Sequence, residues 1–155
     1  MADAALSIRP ATADDARAIW EWRNDPTTRA MSGEVDVIPW EVHARRCEQA
    51  LGDSARRLLM VQLADTAVGM VRFDDTGAGT WRISVNLAPA ARGRGHGTAA
   101  LLRACDWLVG HERPRGVTAD IRTGNVASVK AFAAAGFRRV SGDGEWERYL
   151  RTFED

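Results

Sequence analysis

The stretch Ala90-Ala91-Arg92-Gly93-Arg94-Gly95-His96-Gly97-Thr98 lies between a strand-like run ending near Leu87 and a helix-like run over 97–112. Glycines alternate through it, and glycine in such a place lets the backbone turn tightly and a ligand come close. The first turn of the following helix has about four N–H groups without intrahelical partners, and the helix dipole makes that end positive. Strand, glycine loop and helix in this order describe an anion site, most naturally for phosphate, with Arg92 and Arg94 adding charge. A flexible turn with two solvated arginines is the plainer alternative. The common nucleotide loops do not fit. The dinucleotide fingerprint G-x-G-x-x-G needs a glycine where Thr98 stands. The G-x-x-x-x-G-K-[ST] loop needs a lysine, and Lys130 is the chain's only one.

Working outward, hydrophobic alternation marks strands over 6–9, 57–63, 67–73, 80–87, 117–122, 137–140 and 145–153. Helical spacing marks 16–23, a second piece over 26–32 ended by Gly33, and a helix over 39–51 with Pro39 in its first turn. Further helices run over 97–112 and 125–135, the last ended by Gly136. The segment from Val35 to Ile38 reads as extended or loop, and 74–79 as a turn. The order β-α-α-α-β-β-β-α-β-α-β-β predicts a mixed α/β (α+β) fold: one twisted mixed sheet of about seven strands with helices on its faces. The crossover through 97–112 demands a parallel pair inside that sheet. No linker or repeat divides the chain, so residues 1–155 read as a single domain.

Composition narrows the function. With 155 residues, 45% of them hydrophobic and 27% charged, the chain reads as an ordinary globular domain. Basic and acidic residues tie at 21 each, without the basic excess of a general nucleic-acid binder. Cys47, Cys105, His43, His96 and His111 show no metal-ligand spacing, so no metal is expected. No run approaches the length of a membrane span, and the N-terminus lacks the pattern of a secretory signal. A cytoplasmic protein is the expectation.

The run Arg92-Gly93-Arg94-Gly95-His96-Gly97 resembles the [RQ]-x-x-G-x-[GA] signature of GNAT-type N-acetyltransferases. Residues 125–137, NVASVKAFAAAGF, resemble that family's N-x-x-[AS]-x-x-x-[YF]-x-x-x-G-F segment. The resemblance spans nearly the whole chain and implies the GNAT fold, with acetyl-CoA as cosubstrate. It implies a pyrophosphate held on the amides from Gly93 to Thr98, including His96. Asn125, Ser128 and Phe132 would lie along the pantetheine arm. It places amides of Val85, Asn86 and Leu87 at the thioester carbonyl, where N–H donors stabilise the tetrahedral oxyanion of acyl transfer.

The attacking amine must also lose a proton. Asp120, on the strand before Asn125, is the best single base candidate, because some family members carry a catalytic glutamate there. A strand carboxylate paired with an arginine is the plainer reading, and Glu21 and Glu34 are weaker candidates. Many family members protonate the departing thiolate with a tyrosine at the position of Phe132, which has no proton to give. Ser128 or a water would serve instead.

The front segment Trp20-Glu21-Trp22-Arg23-Asn24-Asp25-Pro26, with Arg29 and later Trp40, is similar to two GNAT branches: the ribosomal-protein N-terminal acetyltransferases and the amino-sugar acetyltransferases of nonulosonic acid synthesis. That resemblance puts Trp22, Arg23, Asn24 and Arg29 at the acceptor. Trp22 and Trp40 would stack on a sugar or base, and the arginines would hold an anionic group. The favoured acceptor is therefore a small-molecule primary amine, an amino sugar or sugar nucleotide. A protein N-terminus or lysine is the alternative, and a non-catalytic acyl-CoA-binding module the second. A homodimer is expected to be possible through the edge of the last hairpin.

Overall fold

The computed structural model describes residues 6–32 and 36–153. Gly33, Glu34 and Val35, with the expectations placed on them, lie outside the described residues. The strands are β1 (Leu6–Pro10), β2 (Arg56–Leu63), β3 (Thr66–Gly77), β4 (Thr80–Leu87), β5 (Gly116–Arg122), β6 (Arg138–Gly142) and β7 (Trp146–Thr152). The helices are α1 (Ala16–Arg23), α2 (Pro26–Ser32), α3 (Trp40–Leu51), α4 (His96–Glu112) and α5 (Val126–Ala134). All the strands join one seven-stranded mixed sheet in the order β1-β2-β3-β4-β5-β7-β6.

Local chemistry explains most boundaries. Gly95, left-handed at φ 80°, caps α4, so the helix starts at His96. Pro39 precedes α3 as its cap and does not sit in the first turn. The largest departure from expectation is β3, which continues through Asp74 and Asp75 to Gly77. Asp74 stands opposite Arg82 and Asp75 opposite Trp81, so the ladder holds these polar residues in the strand. The reversal is then made by two residues, Ala78 (φ 56°) and Gly79 (φ 81°), the positive-φ pair that a tight hairpin needs.

The two faces of the sheet carry different cores. On one face, Leu59, Val61, Val71, Phe73, Trp81, Ile83, Val117, Ala119 and Ile121 pack with Leu101, Ala104, Cys105 and Leu108 of α4 and Phe132 of α5. On the other, Leu58, Met60 and Met70 pack under Ala16, Ile19 and Trp22 of α1 and Cys47 of α3. Alternation along each strand produces this division. On the second face, Thr118, Asp120 and Arg122 of β5, with Trp146, Arg148 and Leu150 of β7, belong to neither core.

One joint in the sheet is short. β4 and β5 run parallel and pair only at Thr80–Gly116, Trp81–Val117 and Arg82–Thr118. Beyond those three rungs β4 continues to Leu87 and β5 to Arg122 without pairing to each other. The two central strands therefore open into a V at their C-terminal ends.

Candidate active site

Strand alternation fixes which backbone groups face the V. The Ala88 N–H donates to Val68 O at 2.8 Å. Asn86, in register with Met70, therefore turns its N–H toward β3 as well. Val85 and Leu87 turn theirs the other way, into the gap that β5 leaves. Of the three amides expected at the thioester carbonyl, Val85 and Leu87 qualify and Asn86 does not. The Asn86 side chain faces α2 instead. Its Oδ1 lies 3.4 Å from the Thr28 hydroxyl, and its Nδ2 is buried with no hydrogen-bond partner among the described residues.

The glycine loop closes the mouth of the V. Gly93 (φ 75°) and Gly95 (φ 80°) both adopt the left-handed region, and a Cβ on either would meet nothing within 4 Å. That free space lets an anion reach the backbone. The first turn of α4 receives no side-chain cap, so its N–H groups keep their donor capacity. Gly97 packs closer: a Cβ there would lie 3.6 Å from Ala131 and 4.0 Å from Leu87. His96 is buried, Arg94 exposed and Thr98 half-buried.

Arg92 departs from the role expected of it. Its guanidinium points away from the glycine loop: Nε donates to Leu87 O at 3.2 Å, Nη1 to Asp25 Oδ2 at 2.9 Å, and Nη2 to the Thr28 hydroxyl. Asp25 also accepts from the Thr28 N–H at 3.2 Å, capping α2. The Arg92 guanidinium holds the Asp25 carboxyl below its ordinary range. This bridge from the end of β4 to the start of α2 was missed in the sequence. The sequence shows only its cap half, the Asp25-Pro26-Thr27-Thr28 run.

On the α5 side, Asn125 caps the helix, its side chain accepting from Ser128 N at 3.2 Å. Ser128 is half-buried on the first turn. Phe132, expected along the pantetheine arm, belongs to the core, 7% exposed and edge-on to Phe137 with centroids 5.0 Å apart. Tyr149 is the only tyrosine. It is buried and its hydroxyl lies 3.4 Å from Glu147 Oε1.

On the other face, Asp120 is exposed and accepts from Arg148 through both oxygens, at 2.8 and 3.1 Å. The plainer reading, a strand carboxylate paired with an arginine, is the geometry found. Of the acceptor-side residues, Trp22 is buried between α1 and the sheet and cannot stack on a ligand. Asn24 exchanges two hydrogen bonds with the backbone of Ile38, at 2.9 and 3.1 Å. Arg29 Nε donates to Asn24 O at 3.1 Å. Trp20 Nε1 donates to Ile38 O, and its ring meets Trp40 edge-on at 5.5 Å, with Arg17 over both rings. Arg23 is half-buried, as is Trp40. These residues fasten the α1–α2 turn to the strip before α3, forming a wall above Asn86. Among the described residues, no group of three His, Cys, Asp or Glu could hold a metal ion, and no helix is long and apolar enough to cross a membrane.

Comparison with known proteins agrees with this geometry. The sequence matches the acetyltransferase (GNAT) domain over residues 5–138. The chain therefore belongs to the GNAT acetyltransferase family, and it is an acyltransferase that moves acetyl from acetyl-CoA to an amine. No curated protein matches it in sequence. Among solved structures, the fold is similar to spermidine N-acetyltransferase from Vibrio cholerae in complex with CoA and spermine. That match has 17% identity and a TM-score of 0.88 and covers 96% of each chain. It is also similar to the aminoglycoside acetyltransferase AAC(6')-Ib in complex with paromomycin and acetyl-CoA, at 15% identity, TM-score 0.81, covering 96% of this chain and 93% of that one. A domain from Methanocaldococcus jannaschii matches at 19% identity with a TM-score of 0.83, covering 96% and 98%.

Proposed function

We propose that the chain acetylates a small-molecule primary amine by direct transfer, and that the acceptor is an amino sugar or sugar nucleotide. The observation that carries the transfer is the V between β4 and β5. It leaves the Val85 and Leu87 N–H groups free of strand partners beside a glycine loop at a helix N-terminus. Those residues fit acetyl-CoA. The pyrophosphate would rest on the amides from Gly93 to Thr98, and the pantetheine arm would lie between the strands, near Asn125 and Ser128. In the transition state the thioester oxygen gains negative charge, and the Val85 and Leu87 N–H groups stabilise it more than they stabilise the neutral carbonyl.

The acceptor comes from the opposite face, where β4 and β5 present Ser84, Asn86 and Asp120 beneath the α1–α2 wall. Asp120 is engaged by Arg148, so the amine proton leaves through water on this open floor and Asp120 orients Arg148. Ser128 or water returns a proton to the thiolate. What supports an anionic sugar derivative over a polyamine is charge. Asp25 is matched by Arg92, Asp120 by Arg148, and Asp74 by Arg72 and Arg82. No unpaired carboxylate among these remains to receive a polycation. The deciding experiment incubates the protein with acetyl-CoA and single amines (amino sugars, sugar nucleotides, spermidine, kanamycin, peptides) and measures free CoA. Release with amino sugars or their nucleotides supports the reading. Release only with spermidine, kanamycin or peptides refutes the acceptor, and none with any amine refutes the transfer.

A further inference from the structure

The floor of the open face holds a second charged cluster that the transfer itself does not use. Asp74 of β3 is buried, its side chain 12% exposed. Arg72 Nε lies 3.1 Å from its Oδ2, Arg82 Nη2 lies 3.6 Å from the same oxygen, and Arg56 Nε lies 3.5 Å from Oδ1. Arg56 is shared with Asp53 at 3.6 Å. Arg72 and Arg82 thus have one carboxylate between them. Each guanidinium has five N–H donors in a planar fork; Asp74 accepts a hydrogen bond from Arg72 Nε and holds Arg82 only at ion-pair distance. Their other nitrogens meet no acceptor among the described residues, and both side chains are part-exposed, at 28% and 42%. Two cations turned to one carboxylate leave one net positive charge in a fixed geometry suited to a carboxylate or phosphate.

Position makes this cluster part of the acceptor site. Arg72 stands opposite Ser84, and Arg82 is the last β4 residue paired with β5 before the V opens. The even-numbered β4 side chains, Arg82, Ser84 and Asn86, form one row on the face where Met70 packs beneath α1 and α3. From Arg82 to Val85 is three residues, about 10 Å of extended strand.

We propose that Arg72 and Arg82, held by Asp74, bind an anionic group of the acceptor, phosphate or carboxylate, about 10 Å from the amine that is acetylated. This rests on the transfer reading above and specifies its substrate: an amine with a distant negative charge. A ligand of that kind completes the hydrogen bonding of both guanidinium groups, whereas a polyamine meets like charge there.

Two measurements test it. The first compares kcat/KM for matched acceptors: UDP-glucosamine and glucosamine 6-phosphate against glucosamine, and an acidic tripeptide against its amide-capped form. The charged member of at least one pair is expected to win by about 10-fold, the worth of a charge-assisted hydrogen bond. The phosphate and peptide arms tell the two anion sources apart. The second titrates inorganic phosphate into protein saturated with CoA, so that the glycine loop is filled. Arg72→Gln/Arg82→Gln is expected to weaken phosphate about 10-fold while CoA affinity stays at the parent value. Turnover without preference for the charged members, or phosphate affinity unchanged in the double variant, overturns the proposal. If no amine is turned over yet phosphate binding still depends on the two arginines, the transfer reading fails and the anion site stands.

Discussion

The two sides of this active site are built from different material. The side proposed for acetyl-CoA is backbone: amides of Val85 and Leu87 in a strand that has lost its neighbour, and left-handed glycines before α4. The side proposed for the acceptor is side chain: Arg92 on Asp25, Arg148 on Asp120, Arg72 and Arg82 on Asp74. Backbone donors bind whatever carries the same anion. Paired side chains select by shape and charge. One fold can therefore keep its acyl donor while its acceptor changes.

The widest break in that comparison comes from the glycine loop. Gly95→Val forces a β-branched residue into φ 80°, a conformation that costs a non-glycine residue about 1–2 kcal/mol. It also fills the space an anion needs. Acetyl-CoA binding by calorimetry should weaken by more than about 10-fold. Parent-like affinity would move the pyrophosphate elsewhere.

Asp25→Asn probes the bridge between the two sides. It touches none of the loop's glycines, yet it removes the charge that anchors Arg92. The acceptor KM should rise several-fold, up to about 10-fold, because a charge-assisted hydrogen bond is lost from a part-exposed site. The KM for acetyl-CoA should hold. A rise in the acetyl-CoA KM instead would mean that Arg92 serves the cofactor directly.

Asp120→Asn is expected to do less. Removal of a general base costs about 10²–10⁴-fold in turnover. Removal of a partner of Arg148 should cost under about 5-fold. A loss in the larger range, with the acidic limb of the pH–rate profile gone, would make Asp120 the base.

The smallest effect concerns the wall above the acceptor. His43 is buried in α3, with Nε2 2.9 Å from Ala16 O, and burial holds its pKa below the ordinary value of 6.5. The unfolded chain takes up a proton below about pH 6.5 that the folded chain refuses. The associated stability is therefore full above that pH and declines as pH falls toward the lowered value. The melting temperature should fall as pH drops from 7 to 5.5, and His43→Gln should flatten that slope. An unchanged slope would place the titration elsewhere.

The same division explains what could be read in advance. The sheet, the parallel crossover and the glycine loop were legible because they follow from local pattern: alternation, helix signals and a glycine where φ must be positive. Asn125 as a helix cap is local in the same sense. The side-chain half was not legible, because its pairs lie far apart in sequence. Arg92 finds Asp25 across 67 residues and Arg148 finds Asp120 across 28. Trp22, chosen for stacking, is drawn under α1 by the same hydrophobicity that made it attractive as a ligand contact. Phe132 is buried for that reason too. Asn86 failed on parity alone: one residue along a strand reverses the direction of an amide.

The three rungs between β4 and β5 have a mechanical meaning. They join two plates, β1 to β4 on one side and β5, β7 and β6 on the other. Outside those rungs the plates are linked by α4 and by the Arg115 N–H on Gly79 O at 2.7 Å. A molecule held in the V touches both plates beyond the hinge line and works as a wedge that is also glue. With the acyl donor in the V as proposed, its binding adds to the cohesion of the sheet, and the protein's resistance to heat should track donor concentration.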